Sequence, residues 1–155
     1  EVLPATLRAV RDGGGELELW HQTGEAHLDV VRQSYGELLE QGARVDPFIE
    51  DMASAYAWAD LVVCRAGALT VAELCAVGVP AVFVPYPSAV DDHQTANARG
   101  LAGAGGAIVI PESQLSVEAM SEQIASVIGN PDGAAQMARA AAGFVDDNSA
   151  SRTTR

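Results

Sequence analysis

Residues Asp60 to Asn97 read DLVVCRAGALTVAELCAVGVPAVFVPYPSAVDDHQTAN, and the fold class follows from this stretch. Leu61-Val62-Val63-Cys64 is a short apolar run of the kind buried on both faces of a parallel sheet. Arg65-Ala66-Gly67-Ala68 interrupts it with small residues and one arginine. Beyond them Leu69, Val71, Leu74 and Cys75 recur at helical spacing as far as Val77. Gly78 and Pro80 end that helix, because glycine accepts the left-handed closing position and proline cannot continue the ladder. Ala81-Val82-Phe83-Val84 is a second buried strand, so the stretch is a β-α-β unit.

A helix that starts directly after a buried parallel strand points unpaired N–H groups at the crevice beyond the strand's carboxyl end. Those amides carry partial positive charge, so an anion is stabilised there without any lysine. Gly67 and Ala68 allow close approach to the backbone, and Thr70 adds a hydroxyl. Glu73 follows Thr70 by three residues and faces the same side. A carboxylate repels a phosphate, so its natural ligand is a pair of vicinal hydroxyls, as on a ribose. The same spacing also suits a solvated surface glutamate. Further on, Asp91-Asp92-His93-Gln94 opens a helix containing Asn97, which suits a sugar-reading surface or a plain helix cap.

Three segments in order carry a family resemblance. They are CRAGALTVAELCAVGVPAVFVPYP with DDHQTANA after it, Trp20-His21-Gln22-Thr23-Gly24, and Asp46-Pro47-Phe48-Ile49-Glu50-Asp51-Met52 leading to Ala55-Tyr56-Ala57-Trp58-Ala59-Asp60. Together they resemble the donor-binding half of the MurG family of bacterial N-acetylglucosaminyltransferases, from near residue 1 to about Ser116. GALTVAE and HQTG are specific motifs, and the acidic loop is less so.

The resemblance implies an α/β fold, a Rossmann-like parallel sheet flanked by helices, as the C-terminal half of a two-domain GT-B glycosyltransferase. It implies donor binding for an inverting transfer from UDP-N-acetylglucosamine to membrane-bound lipid I, giving lipid II for peptidoglycan, at the cytoplasmic face of the plasma membrane. Uracil is then expected against the Ile49 main chain, its N–H and C=O matching the base edge, with Phe48 lining the pocket, and the ribose hydroxyls on Glu73. Thr23 falls in the diphosphate or ribose region. The diphosphate meets the helix start, with Gly67, Ala68, Leu69, Thr70, Val71 and Ala72 among the donor-binding residues and Arg65 as a candidate phosphate contact. Gln94 reads the sugar hydroxyls with His93 nearby, although His93 stands where the family often has glutamine.

In that family the acceptor site, the membrane-facing patch and a catalytic-base candidate belong to an amino-terminal domain, and a GGSxG-type loop is expected just upstream of Glu1. No catalytic residue is therefore assigned here, and the chain alone is expected to be inactive. Three other readings share the architecture: a separate donor-binding subunit of a split transferase, a UDP-sugar epimerase, and a non-enzymatic nucleotide-binding module.

Bulk properties narrow the field. A 155-residue chain suits one domain and buries roughly 70% of its unfolded surface, so staples are unnecessary. Cys64 and Cys75 form no CxxC pair, and with three histidines no metal-ligand cluster is visible, so neither metal nor cofactor is expected. No apolar run reaches the ~20 residues of a membrane span, and no signal peptide is evident. There are 21 acidic and 9 basic residues, all of the latter arginine, for a net charge of −12. That balance argues against nucleic acid and broad docking on anionic lipid. It also leaves a diphosphate to be held by local dipoles.

The remaining elements are expected as follows. Residues 1–11 form a helix whose beginning is cut away, with Leu3, Leu7 and Val10 on one face. Asp12 to Gly15 break the chain, Glu16 to Trp20 make a strand, Leu28 to Gln41 an amphipathic helix, and Arg44 to Ile49 a short strand and loop. Ala53 to Ala59 form a helix in which Tyr56 and Trp58 pack. Ala107 to Ile110 are the last strand and Val117 to Ile128 a helix. Asn130 to Gly133 turn, and Ala134 to about Val145 form a final helix. The domain is thus expected over 1–145, with a frayed polar tail at 146–155.

Overall fold

The computed structural model describes residues 2–87 and 92–152. Five strands alternate with helices. They run as α1 (Val2–Asp12), β1 (Leu19–Gln22), α2 (Leu28–Tyr35), β2 (Ala43–Asp46), α3 (Met52–Trp58) and β3 (Val62–Cys64). After these come α4 (Ala68–Val77), β4 (Ala81–Phe83), α5 (His93–Gly103), β5 (Ala107–Val109), α6 (Val117–Ile128) and α7 (Pro131–Arg152). All pairing is parallel, as the alternation requires. Among the described residues the strands form two ladders, β1-β2 and β3-β4-β5, where a single sheet was expected.

The β-α-β unit is as the sequence implies. Val62 lies opposite Ala81 and Cys64 opposite Phe83, and β4 is buried along its whole length. Its residues divide by parity. Ala81 and Phe83 join Val71, Leu74, Leu101 and Ala141 under α4, α5 and α7. Val82 and Val84 join Val10, Met120 and Ile124 under α1 and α6. That period-two split gives a sheet covered on both faces. A third cluster, Leu7, Tyr35, Leu38, Ala43 and Val45, joins α1 and α2 to the β1-β2 ladder. Helix α1 supplies Val10 to one cluster and Leu7 to the other, and so spans the two ladders.

Helix ends follow local chemistry. Gly78 takes φ 76° and its N–H returns to Leu74 O at 2.8 Å, closing α4 where the sequence places the stop. Ser116 caps α6, and Asp51 caps α3 by accepting from the Ser54 N–H.

Four boundaries differ from the sequence reading. The strand expected over Glu16 to Trp20 lies at Leu19–Gln22, because Gly15 N–H bonds back to Val10 O and keeps the chain beside α1. The helix expected to reach Gln41 breaks at Gly36, φ 54°, and continues as a 3-10 turn over Gly36–Leu39. Strand β2 stops at Asp46, ahead of Pro47. Lastly, where a turn at Asn130 to Gly133 and a helix to Val145 were expected, one helix runs over Pro131–Arg152; the last three residues of the expected tail, 153–155, lie outside the described residues. Pro131 is its first residue, and Asn130 Oδ1 accepts from Gly133 N–H at 3.0 Å.

Candidate functional site

The carboxyl ends of β3 and β4 hold most of the residues singled out above. After Cys64 the chain turns through Arg65, Ala66 and Gly67, and α4 begins. Its N-cap is Gly67, which has no side chain to cap with, and the first helical bond runs from Val71 N–H to Gly67 O at 3.0 Å. Among the described residues the amides of Ala68, Leu69 and Thr70 therefore have no acceptor, which is the arrangement that attracts an anion. Gly67 is in an ordinary extended conformation, φ −62°, and an added Cβ there would meet nothing nearer than Thr70 Oγ1 at 3.8 Å. Its smallness is not needed by the protein's own packing. Asn97 on α5 braces the turn by donating from Nδ2 to Ala66 O at 3.2 Å.

Around this start the expected contacts divide. Ala68, Leu69 and Ala72 are exposed, Leu69 by 73%, and Thr70 is half-buried. The Val71 side chain is buried in the core and its N–H closes the first turn. Glu73 is half-buried, and its Oε2 accepts from the Tyr56 hydroxyl at 3.0 Å. Tyr56, read from sequence as packing alone, is both buried and bound to the candidate ribose-reading carboxylate. Trp58 is about half exposed and meets Trp20 edge-on at 6.1 Å.

Arg65 is engaged elsewhere. Its Nη1 donates to Val84 O at 3.1 Å and Pro85 O at 3.3 Å, and its Nη2 pairs with Glu112 at 2.8 Å. The guanidinium also lies over the Tyr86 ring. These bonds brace the end of β4 against Glu112. Burial pushes the neighbouring Cys64 thiol up to about 12, which leaves it protonated and unreactive.

Thr23 and Gln22 end β1. Thr23 Oγ1 donates to Gly24 O at 2.9 Å while its N–H pairs with Asp46 O, continuing the ladder past β2. Gln22 Oε1 accepts from the Ile49 N–H at 2.8 Å. The Ile49 side chain is buried, whereas Phe48 is 65% exposed, which suits a pocket wall better than a core position. Beside them His21 Nδ1 lies 3.0 Å from the Tyr35 hydroxyl. Burial raises the Tyr35 pKa, so the phenol keeps its proton.

On α5, His93 is exposed and Gln94 half-buried. Gln94 Oε1 accepts from the Tyr86 N–H at 2.9 Å. Asp92 is the N-cap residue of α5 but makes no side-chain capping bond, and Asp91 lies outside the described residues. A recess of about 770 Å³ adjoins this region, lined by Pro85, Asp92, Thr95, Arg99 and Glu112 among others. Among the described residues no group of His, Cys, Asp and Glu could hold a metal ion, and no helix is long and apolar enough to cross a membrane.

Sequence reasoning missed Gln22 and Tyr56 as partners of Ile49 and Glu73, and the Asn97 brace. The signal was present for Gln22, which sits inside the HQTG motif.

Comparison with known proteins bears on the same residues. The family described as "Glycosyltransferase family 28 C-terminal domain" matches residues 1–152. A UDP-N-acetylglucosamine--N-acetylmuramyl-(pentapeptide) pyrophosphoryl-undecaprenol N-acetylglucosamine transferase of Halorhodospira halophila is 50% identical over 150 residues, covering 97% of this chain and 41% of the relative. The transferase of the same name from Alkalilimnicola ehrlichii is 48% identical over 137 residues, 87% of this chain and 38% of the relative. The crystal structure of Acinetobacter baumannii MurG superposes with a TM-score of 0.78 at 40% identity, covering 91% of this chain and 40% of that one. The chain thus spans about two fifths of the length of these relatives, and over that span its α/β fold is the one found in MurG. It belongs to the glycosyltransferase family 28 C-terminal domain family.

Proposed function

We propose that this chain is the donor-binding half of an inverting N-acetylglucosaminyltransferase of peptidoglycan synthesis. The observation that carries the reading is the uncapped start of α4 with Glu73 one turn further along it, within the GALTVAE motif. The relatives' names supply the chemistry: a UDP-N-acetylglucosamine donor and an N-acetylmuramyl-(pentapeptide) pyrophosphoryl-undecaprenol acceptor, which is lipid I.

In this reading the base lies by Phe48 and the Ile49 main chain, with Thr23 close by. The ribose hydroxyls meet Glu73, and the diphosphate meets the amides of Ala68 to Thr70. Gln94 donates to a sugar hydroxyl, with His93 nearby. The acceptor oxygen bonds to the anomeric carbon from the face opposite UDP while the bond to the β-phosphate oxygen breaks. Negative charge grows on the departing diphosphate, and the helix start stabilises that charge as it forms.

Acceptor positioning, proton removal and membrane contact are assigned to residues outside this chain, and the whole enzyme to the cytoplasmic face of the plasma membrane. Holding both reactants in one geometry supplies roughly 7–11 kcal/mol of barrier reduction. The chain alone is therefore expected to bind UDP and to transfer nothing to a lipid I analogue. Calorimetry with Glu73→Ala tests the reading: UDP binding should weaken by roughly 1.5–3 kcal/mol, the range for hydrogen bonds to a charged group, with folding little changed. Equal affinities would leave Glu73 as a partner of Tyr56 alone.

A further inference from the structure

A glutamate on the second turn of a helix has several rotamers, and gripping two hydroxyls requires one of them. The neighbouring helix supplies the restraint. Tyr56 on α3 is 7% exposed and belongs to the same packed cluster as Val71 and Leu74 on α4. Its ring therefore has little freedom, and its hydroxyl meets Glu73 Oε2 at 3.0 Å. Burial, and then the carboxylate itself, push the phenol well above its ordinary pKa. The hydroxyl keeps its proton at any working pH and can only act as donor towards the carboxylate. One carboxylate oxygen is thus tied to the core. Among the described residues the other oxygen, Oε1, makes no hydrogen bond. A residue needed only for packing would serve as well as phenylalanine.

We propose that Tyr56 is the positioning residue for nucleotide-ribose recognition: its hydroxyl holds the Glu73 carboxylate in the one orientation in which the remaining acceptor sites meet a vicinal diol. The inference rests on the reading of Glu73 as the ribose ligand. It assigns to Tyr56 on α3 a part in nucleotide selection that acts through Glu73. Ordering Glu73 before the ligand arrives removes an entropic cost from binding.

The test uses this chain with UDP and 2′-deoxy-UDP, titrated calorimetrically into the wild type, Tyr56→Phe, Glu73→Ala and the double variant. Phenylalanine keeps the ring and its packing. Wild type should prefer UDP. Tyr56→Phe should lower UDP affinity roughly 3- to 10-fold, as for loss of one hydrogen bond, and leave 2′-deoxy-UDP nearly unchanged, so the preference shrinks. In the Glu73→Ala background the tyrosine substitution should change nothing more. An equal loss for both nucleotides would make Tyr56 structural and overturn the proposal. So would an unchanged preference in Tyr56→Phe alongside an abolished one in Glu73→Ala, and that outcome would leave the ribose reading standing. A wild type that binds UDP and 2′-deoxy-UDP equally, or not at all, would overturn the Glu73 reading and this inference together.

Discussion

Gln22 at the end of β1 accepts a hydrogen bond from the main-chain N–H of Ile49, 27 residues away, at 2.8 Å. A base edge that meets the Ile49 main chain therefore finds its carbonyl, which accepts from uracil N3–H and has nothing to receive from the N3 of cytosine. UDP should bind more tightly than CDP. Gln22→Leu should lower stability by roughly 0.5–1.5 kcal/mol, the net value of one hydrogen bond, while leaving that preference intact. Denaturant titration and calorimetry check the two halves, and a lost preference would move base reading to the Ile49 N–H.

Gly67 offers a cleaner probe of the diphosphate. An alanine Cβ there lies 3.8 Å from its nearest neighbour and the backbone is already in an ordinary region, so Gly67→Ala should leave the melting temperature unchanged. With the diphosphate proposed at the α4 start, the added methyl takes up space beside it. UDP affinity should fall by about tenfold or more, ~1.4 kcal/mol, while binding of uridine, which has no phosphate, is unaffected. If UDP and uridine respond alike, the diphosphate does not sit at the α4 start.

The His21 pair predicts a pH dependence of stability. Burial holds the His21 pKa below its ordinary 6.5, because the imidazolium would lose hydration beside the Tyr35 hydroxyl. From pH 6.5 downward the unfolded chain takes up a proton that the folded chain refuses. Stability is thus fully present above 6.5 and declines as the pH falls towards the folded-state value. Chemical denaturation across that window should show His21→Gln less sensitive to acid than the wild type. Parallel curves would mean that His21 protonates in place without cost.

Gly106 should tolerate no side chain. A Cβ there would fall 2.9 Å from the Ala141 Cα and N of α7, and backbone cannot yield as a side-chain tip can. Gly106→Ala is expected to cost about 1–3 kcal/mol. Gly103→Ala, near the end of α5 with nothing within 4 Å, should be neutral or stabilising. Thermal melts of the two variants side by side test the contact between α7 and the start of β5.

What could be read from the chain alone was local in sequence. Leu61 to Val84 announces strand, uncapped helix and strand because turn chemistry, apolar period and the Gly78 stop act within a few residues of one another. The exposed start of α4 is visible for the same reason, since a glycine N-cap has nothing with which to satisfy the first amides. The motifs GALTVAE and HQTG pointed to the family to which the chain belongs.

Packing decided the partners. Tyr56 with Glu73, Gln22 with Ile49, Asn97 with Ala66 and Arg65 with Glu112 lie 17, 27, 31 and 47 residues apart. Nothing in the periodicity of one segment encodes which polar atom another segment will bring within 3 Å. The division of the strands into two ladders, the bonds of Arg65 to the end of β4 and the burial of Val71 belong to the same class. Each depends on which faces meet once Phe83 and Val82 are buried on opposite sides of the sheet, and that is settled by the apolar surface of the whole chain acting together.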